Sequence, residues 1–97
     1  MYQTARVAIQ TIERDAVRPG FDAPYFRVTF ELRAEGIPAS DMTIWVHAAY
    51  PESEVTAVAH TFLAQRLADL AEAASEAAMP REAVEQLWDT VKPANGL

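Results

Sequence analysis

Ser53–Ala78, SEVTAVAHTFLAQRLADLAEAASEAA, is the longest uninterrupted pattern in this chain. Val55, Val58, Ala59, Phe62, Leu63, Leu70, Ala74 and Ala77 recur at steps of three and four, which puts them on one side of a helix. Pro51 closes the preceding segment. Ser53 is then the expected N-cap, its hydroxyl accepting from an amide of the first turn. Glu52 and Glu54 place negative charge near the positive end of the helix dipole. Neither Gly nor Pro interrupts the Ala- and Leu-rich interior before Pro80. The spacing predicts one amphipathic helix over 53–78.

The other sides of this helix carry information too. Ala57, Ala64, Ala68, Ala71, Ser75 and Ala78 form a side of small residues that would let another backbone approach closely. A third side holds Glu54, Asp69, Glu72 and Glu76, with no basic residue among them. Asp69, Glu72 and Glu76 are like charges three or four residues apart, and each adjacent pair costs the helix about 0.2–0.5 kcal/mol. A solvated face is the ordinary explanation of such a run, and a docking face for a basic partner is the other. Arg66 falls between Phe62 and Leu70. Its stem is expected to pack along the sheet with the guanidinium at the rim, or else to pair with Asp69.

Upstream of the helix the period changes to two. In residues 25–34, Phe26, Val28, Phe30, Leu32 and Ala34 alternate without error with Tyr25, Arg27, Thr29, Glu31 and Arg33. Residues 2–14 read as an earlier strand with Val7 and Ile9 inward, although Ile12 has the wrong parity. Residues 15–24 read as a loop reversing at Pro19-Gly20, and GIPASD at 36–41 as a short connection. Residues 42–50 make a third strand, with Ile44, Val46 and Ala48 inward and Thr43, Trp45 and His47 outward.

Downstream, Pro80 opens a second helix over 80–91, in which Val84, Leu87, Trp88 and Val91 form a narrow apolar stripe. Pro93 ends it, leaving a tail at 93–97. The predicted fold is a single α+β domain over 1–97: a three-stranded antiparallel β-meander with two C-terminal helices on one face, in the order β-β-β-α-α. Double-stranded RNA-binding domains and the βββα domains of integrases share part of this order. The chain carries no motif of either.

Composition narrows the function classes. Of 97 residues, 51 % are apolar and 23 % charged, as in a globular domain. With no cysteine, no membrane-length apolar run and no signal-like N-terminus, a cytoplasmic protein is expected. The net charge of −6 is uneven. Residues 1–50 carry five Arg against six acids, whereas 51–97 carry Arg66, Arg81 and Lys92 against eight. An acidic helical half argues against duplex DNA binding.

His47 and His60 lack metal-ligand spacing, and there is neither a nucleophile elbow nor a glycine-rich phosphate loop. No catalytic residue, cofactor or metal is therefore expected. The open sheet face would present Arg6, Gln10, Tyr25, Arg27, Thr29, Glu31, Arg33, Trp45 and His47. Tyr25, Arg27, Trp45 and His47 suit a protein interface, or the stacking of a single-stranded nucleic acid.

The expectation is a small acidic interaction protein, an inhibitor or adaptor meeting a basic protein through Glu54, Asp69, Glu72 and Glu76. Phage-type inhibitors, anti-CRISPR proteins among them, are comparable as a class. A single-strand binder and an unrecognised enzyme are the alternatives. A two-fold homodimer is also expected, because nothing else in so short a chain can cover Trp45 and Tyr25.

Overall fold

The computed structural model describes residues 5–93. The first residues of the predicted N-terminal strand (2–4) and the last of the predicted tail (94–97) lie outside the described residues. The order is β1 (Ala5–Val17), β2 (Pro24–Ala34), β3 (Ile37–His47), a 3₁₀ turn (Glu52–Glu54), α1 (Val55–Ser75) and α2 (Arg81–Val91). The three strands form one antiparallel sheet in the order β1-β2-β3. This is the predicted α+β class and β-β-β-α-α order.

β2 is central, so its alternation decides the core. Val28 and Phe30 are fully buried, and on β3 Ile44, the register partner of Val28, and Val46, the partner of Phe26, are 2 % and 0 % exposed. Val55, Ala59 and Leu63 of α1 are buried at one-turn spacing, and the ring of His60 meets Phe30 edge-on at 5.0 Å. Each large aliphatic or aromatic side chain buried in this way contributes about 1.5–3 kcal/mol.

β1 runs further toward the loop and is less regular than predicted. It continues through Val17, and its register against β2 slips twice. Ile9 faces Phe30 and Thr11 faces Thr29, so Gln10 is an extra residue, a β-bulge. That one residue corrects the parity of Ile12, which then faces Val28 on the helix side. The second slip falls between Glu13 and Ala16, where Asp15 takes a left-handed φ of 51°, one of the few conformations of this kind that Asp tolerates.

β3 begins at Ile37, because Ala34 pairs with Ile37 and leaves Glu35 and Gly36 as the turn. Gly36 adopts φ 86°, a value glycine reaches without a Cβ clash. Residues 37–41 are thus strand and not connection. Pro38 is tolerated because β3 is an edge.

Three details of the helices differ from the expectation. Ser53 lies within the 3₁₀ turn, and the first amide hydrogen bond there runs from Glu54 to the Pro51 carbonyl at 2.9 Å. Proline cannot donate, but its extended ψ aims its carbonyl at the incoming turn. α1 ends at Ser75, so Glu76, Ala77 and Ala78 lie beyond it. The buried stripe is Val55, Ala59 and Leu63 with Leu67 half-buried, whereas Arg66 is exposed and Leu70 is 52 % exposed.

The chain divides after Gln65 into two compact units. Among the described residues, all ten buried apolar side chains belong to the first. In the second, Val84, Leu87, Trp88 and Val91 do form the predicted stripe on α2, but they are 50–62 % exposed.

Leu63 and Leu70 stand two turns apart on one helix and give opposite expectations. Leu63→Ala is expected to cost about 2–5 kcal/mol in urea unfolding, the usual cost of a leucine-sized core deletion. Leu70→Ala should stay within about 1 kcal/mol. Equal losses would contradict the placement of the core edge.

Candidate functional site

The open face of the sheet is built by the outward residues of β2 and their register partners. Tyr25 faces His47, Arg27 faces Trp45, and Thr29 faces Thr43. On the β1 side Glu13 faces Arg27 and Ala16 faces Tyr25. The sheet thereby brings Tyr25, Arg27, Trp45 and His47 together, as the alternation predicted. It does not leave them equally available.

Tyr25 is only 7 % exposed. The turn before β2 folds over it. Phe21 donates its amide to the Arg18 carbonyl at 3.0 Å, with Pro19 and Gly20 between them and Gly20 at φ 84°. Pro then Gly of positive φ is the requirement of a type II turn. The turn sets the Phe21 ring 5.7 Å from Tyr25 and edge-on to it. The Arg18 guanidinium sits 4.1 Å from the Phe21 centroid and 5.1 Å from that of Tyr25.

Tyr25 in turn meets Trp45 at 6.3 Å and His47 at 5.1 Å, both edge-on. Each such aromatic pair contributes about 0.5–1.5 kcal/mol beyond its area. Tyr25 is therefore a brace for Trp45 and His47 rather than a contact residue. The expectation that nothing in the chain covers it is corrected. Arg18 and Phe21 were the residues missed, and the signal was an aromatic set immediately after Pro-Gly. His47 is held as well, its Nδ1 accepting from the Ala49 amide at 2.9 Å.

Two arginines of this face, Arg27 and Arg33, are engaged by neighbours. Arg27 pairs with Glu13, its register partner. Arg33 donates to Glu31 from Nε at 3.0 Å and from Nη2 at 3.4 Å. This hydrogen bonding holds the Glu31 carboxyl below the usual glutamate range, against the opposing effect of desolvation. The charge of Arg33, with Gln10 and Arg6, acts in the same direction. The Arg33 guanidinium is pushed up in return. The face thus carries one cross-strand ion pair, Arg27–Glu13, and one along β2, Arg33–Glu31, beside an aromatic end.

On the helix-facing side, a cavity of about 170 Å³ is lined by Ile12, Arg14, Phe26, Glu52, Val55 and Thr56. Arg14 and Glu52 form an ion pair within that lining. Among the described residues no group of three or more His, Asp or Glu could hold a metal ion. No helix is long and apolar enough to cross a membrane.

The acidic candidates divide between the two units. Glu54 is in the first, and Asp69, Glu72 and Glu76 are in the second. All four are exposed. Among the described residues, Glu13, Glu31, Glu52, Glu85 and Asp89 each hold a cation, whereas Glu54, Asp69, Glu72 and Glu76 hold none.

Glu31 generates a pH prediction. Its folded pKa lies below its unfolded one, so its stabilising contribution is present above the unfolded pKa. That contribution is lost as pH falls through the folded value. Thermal melts from about pH 6 down to about pH 3 should show wild type losing its advantage over Glu31→Gln as the carboxylate protonates. Parallel curves for the two proteins would contradict the Arg33–Glu31 pairing.

Compared with known protein families, curated proteins and solved structures, the chain finds no match.

Proposed function

We propose that this chain is a small non-enzymatic interaction protein of the cytoplasm, an inhibitor or adaptor working as a two-fold dimer. It docks the acidic side of α1 on a basic protein surface, such as one that handles nucleic acid. One observation carries the reading: Asp69 and Glu72 in the last turns of α1, and Glu76 just beyond its end, are exposed like charges and hold no cation among the described residues. Elsewhere in the same chain, carboxylates such as Glu13 and Glu31 are paired. A basic partner would convert the mutual repulsion along the helix into attraction, and the field around it would speed the encounter. Anti-CRISPR and similar phage inhibitors are the comparable class, by size and acidity alone.

The single-strand reading is weaker on the same grounds. Arg27 and Arg33 already meet carboxylates, and the Tyr25 ring lies under Arg18 and Phe21. Of the predicted stacking rings Tyr25 is covered, while Trp45 and His47 remain half-exposed.

The test is capture from nuclease-treated cell lysate at two salt concentrations. Wild type should retain a protein partner, more weakly at high salt. The triple variant Asp69→Lys, Glu72→Lys, Glu76→Lys should retain none while melting as wild type does. Capture by the triple variant at wild-type strength, or a micromolar complex of wild type with single-stranded RNA, would sink the proposal.

A further inference from the structure

α2 has no buried residue in its 11 positions, yet it is strongly two-sided. Val84, Leu87, Trp88 and Val91 share one side and are 50 %, 52 %, 53 % and 62 % exposed. A Trp flanked by aliphatic residues is the residue class that anchors interfaces. The charges beside the stripe decide what fits it.

At about 100° per residue, Arg81, Glu85 and Lys92 line one flank. Ala83, Gln86 and Thr90 line the other, which carries no charge. The charged flank is mixed, with a carboxylate between two cations, so it selects neither a uniformly basic nor a uniformly acidic partner. It does match its own reverse.

Two copies of α2 can be laid antiparallel across a two-fold axis, with Val84 against Val91 and Leu87 against Trp88 of the second copy. Glu85 and Lys92 of the second copy then fall on the same side of the pair, about two residue rises or 3 Å apart along the axis. Helical side chains lean toward their own N-terminus, so Glu85 and Lys92 lean toward each other in this arrangement. Within one chain Glu85 already accepts from Arg81 at 3.4 Å, and Lys92 reaches Asp89 at 3.4 Å. Each contact with the second copy therefore extends an existing pair into a chain of alternating charge. A parallel two-fold arrangement would instead set the charged flank of each copy beside the uncharged Ala83, Gln86 and Thr90 flank of the other, leaving Glu85 and Lys92 without that pairing.

We propose that the occupant of this stripe is a second copy of the chain, joined antiparallel through α2 and fixed in register by Glu85 and Lys92. This rests on the dimer named in the proposed function and moves its interface from the open sheet face to α2. It is independent of the acidic docking side.

Light scattering at several concentrations tests it. Wild type is expected to reach twice 10.7 kDa. The variant Leu87→Ser with Trp88→Ser should raise the dissociation constant roughly 30-fold or more, because it removes the anchor pair. Both positions are half-exposed, so the cooperative melt of the sheet unit should be unchanged. Glu85→Lys should weaken the dimer, and adding Lys92→Glu should recover it, a rescue that loss of helix alone would not produce. A constant monomer mass for wild type overturns the dimer itself. A dimer in which the Ser variant is unaffected, or in which the double charge exchange fails to rescue, overturns the α2 interface alone. Capture of a basic partner can be scored separately in each case.

Discussion

The joint burial of Val28 and Phe30 on β2 and of Val55, Ala59 and Leu63 on α1 is the constraint on which the rest of the chain depends. Three strands have a single central member, and only that member is hydrogen-bonded on both sides. One helix can bury only a band about as wide as its own diameter. The core is therefore narrow, and residues outside the band stay half in water even where they face the right way. Val7 and Ile12 of β1, 44 % and 43 % exposed, are examples. Their positions are set by parity rather than by depth.

Parity also explains what the sequence conveyed and what it hid. β2 was legible because Phe26 to Ala34 alternates without interruption, and the register of its neighbours follows from it. Ile12 looked misplaced because the bulge at Gln10 has no compositional mark. An extra residue in a strand needs neither Gly nor Pro when it sits on an edge. At Asp15 a faint mark existed, since Asp is one of the few residues enriched at positive φ, but a single Asp in a loop-like stretch does not announce a bulge. Residues 37–41 misled for the opposite reason. Pro38, Ser40 and Asp41 have the composition of a loop, while edge position permits them in a strand.

The candidate surface was legible as a set of residues but not as a set of exposures. Alternation put Tyr25, Arg27, Trp45 and His47 on one side, and the sheet keeps them there. What alternation cannot express is a loop returning over its own strand. The reversal at Pro19-Gly20 could be read from the chain, but the consequence that Phe21 and Arg18 would cap Tyr25 depends on the direction in which the turn leaves the sheet. Charge pairing was similarly out of reach. Glu13 and Arg27 are 14 residues apart in sequence and become neighbours only through the shifted register of β1. Of the three arginines that alternation put on the open face, two, Arg27 and Arg33, meet carboxylates after folding.

The two units divide the physical work unequally. The sheet unit holds every buried apolar residue among those described, pairs Glu13, Glu31 and Glu52 with arginines and braces its aromatic end. Among the described residues the helical unit holds none of the buried apolar side chains, leaves Asp69, Glu72 and Glu76 without a cation while Glu85 and Asp89 are paired, and exposes Trp88. An isolated helix of 11 residues is marginal in water, because nucleation is costly and few hydrogen bonds follow it. Amphipathic helices of this length draw most of their stability from the surface that covers their apolar side. If that surface is a second copy, the helicity of α2 and the association of two chains are one coupled equilibrium, and mass action makes both depend on protein concentration. The acidic turns of α1 gain a further consequence. Association doubles the number of acidic sides presented without adding a contact to either, and a basic partner long enough to reach both would bind with an effective concentration that no single copy provides.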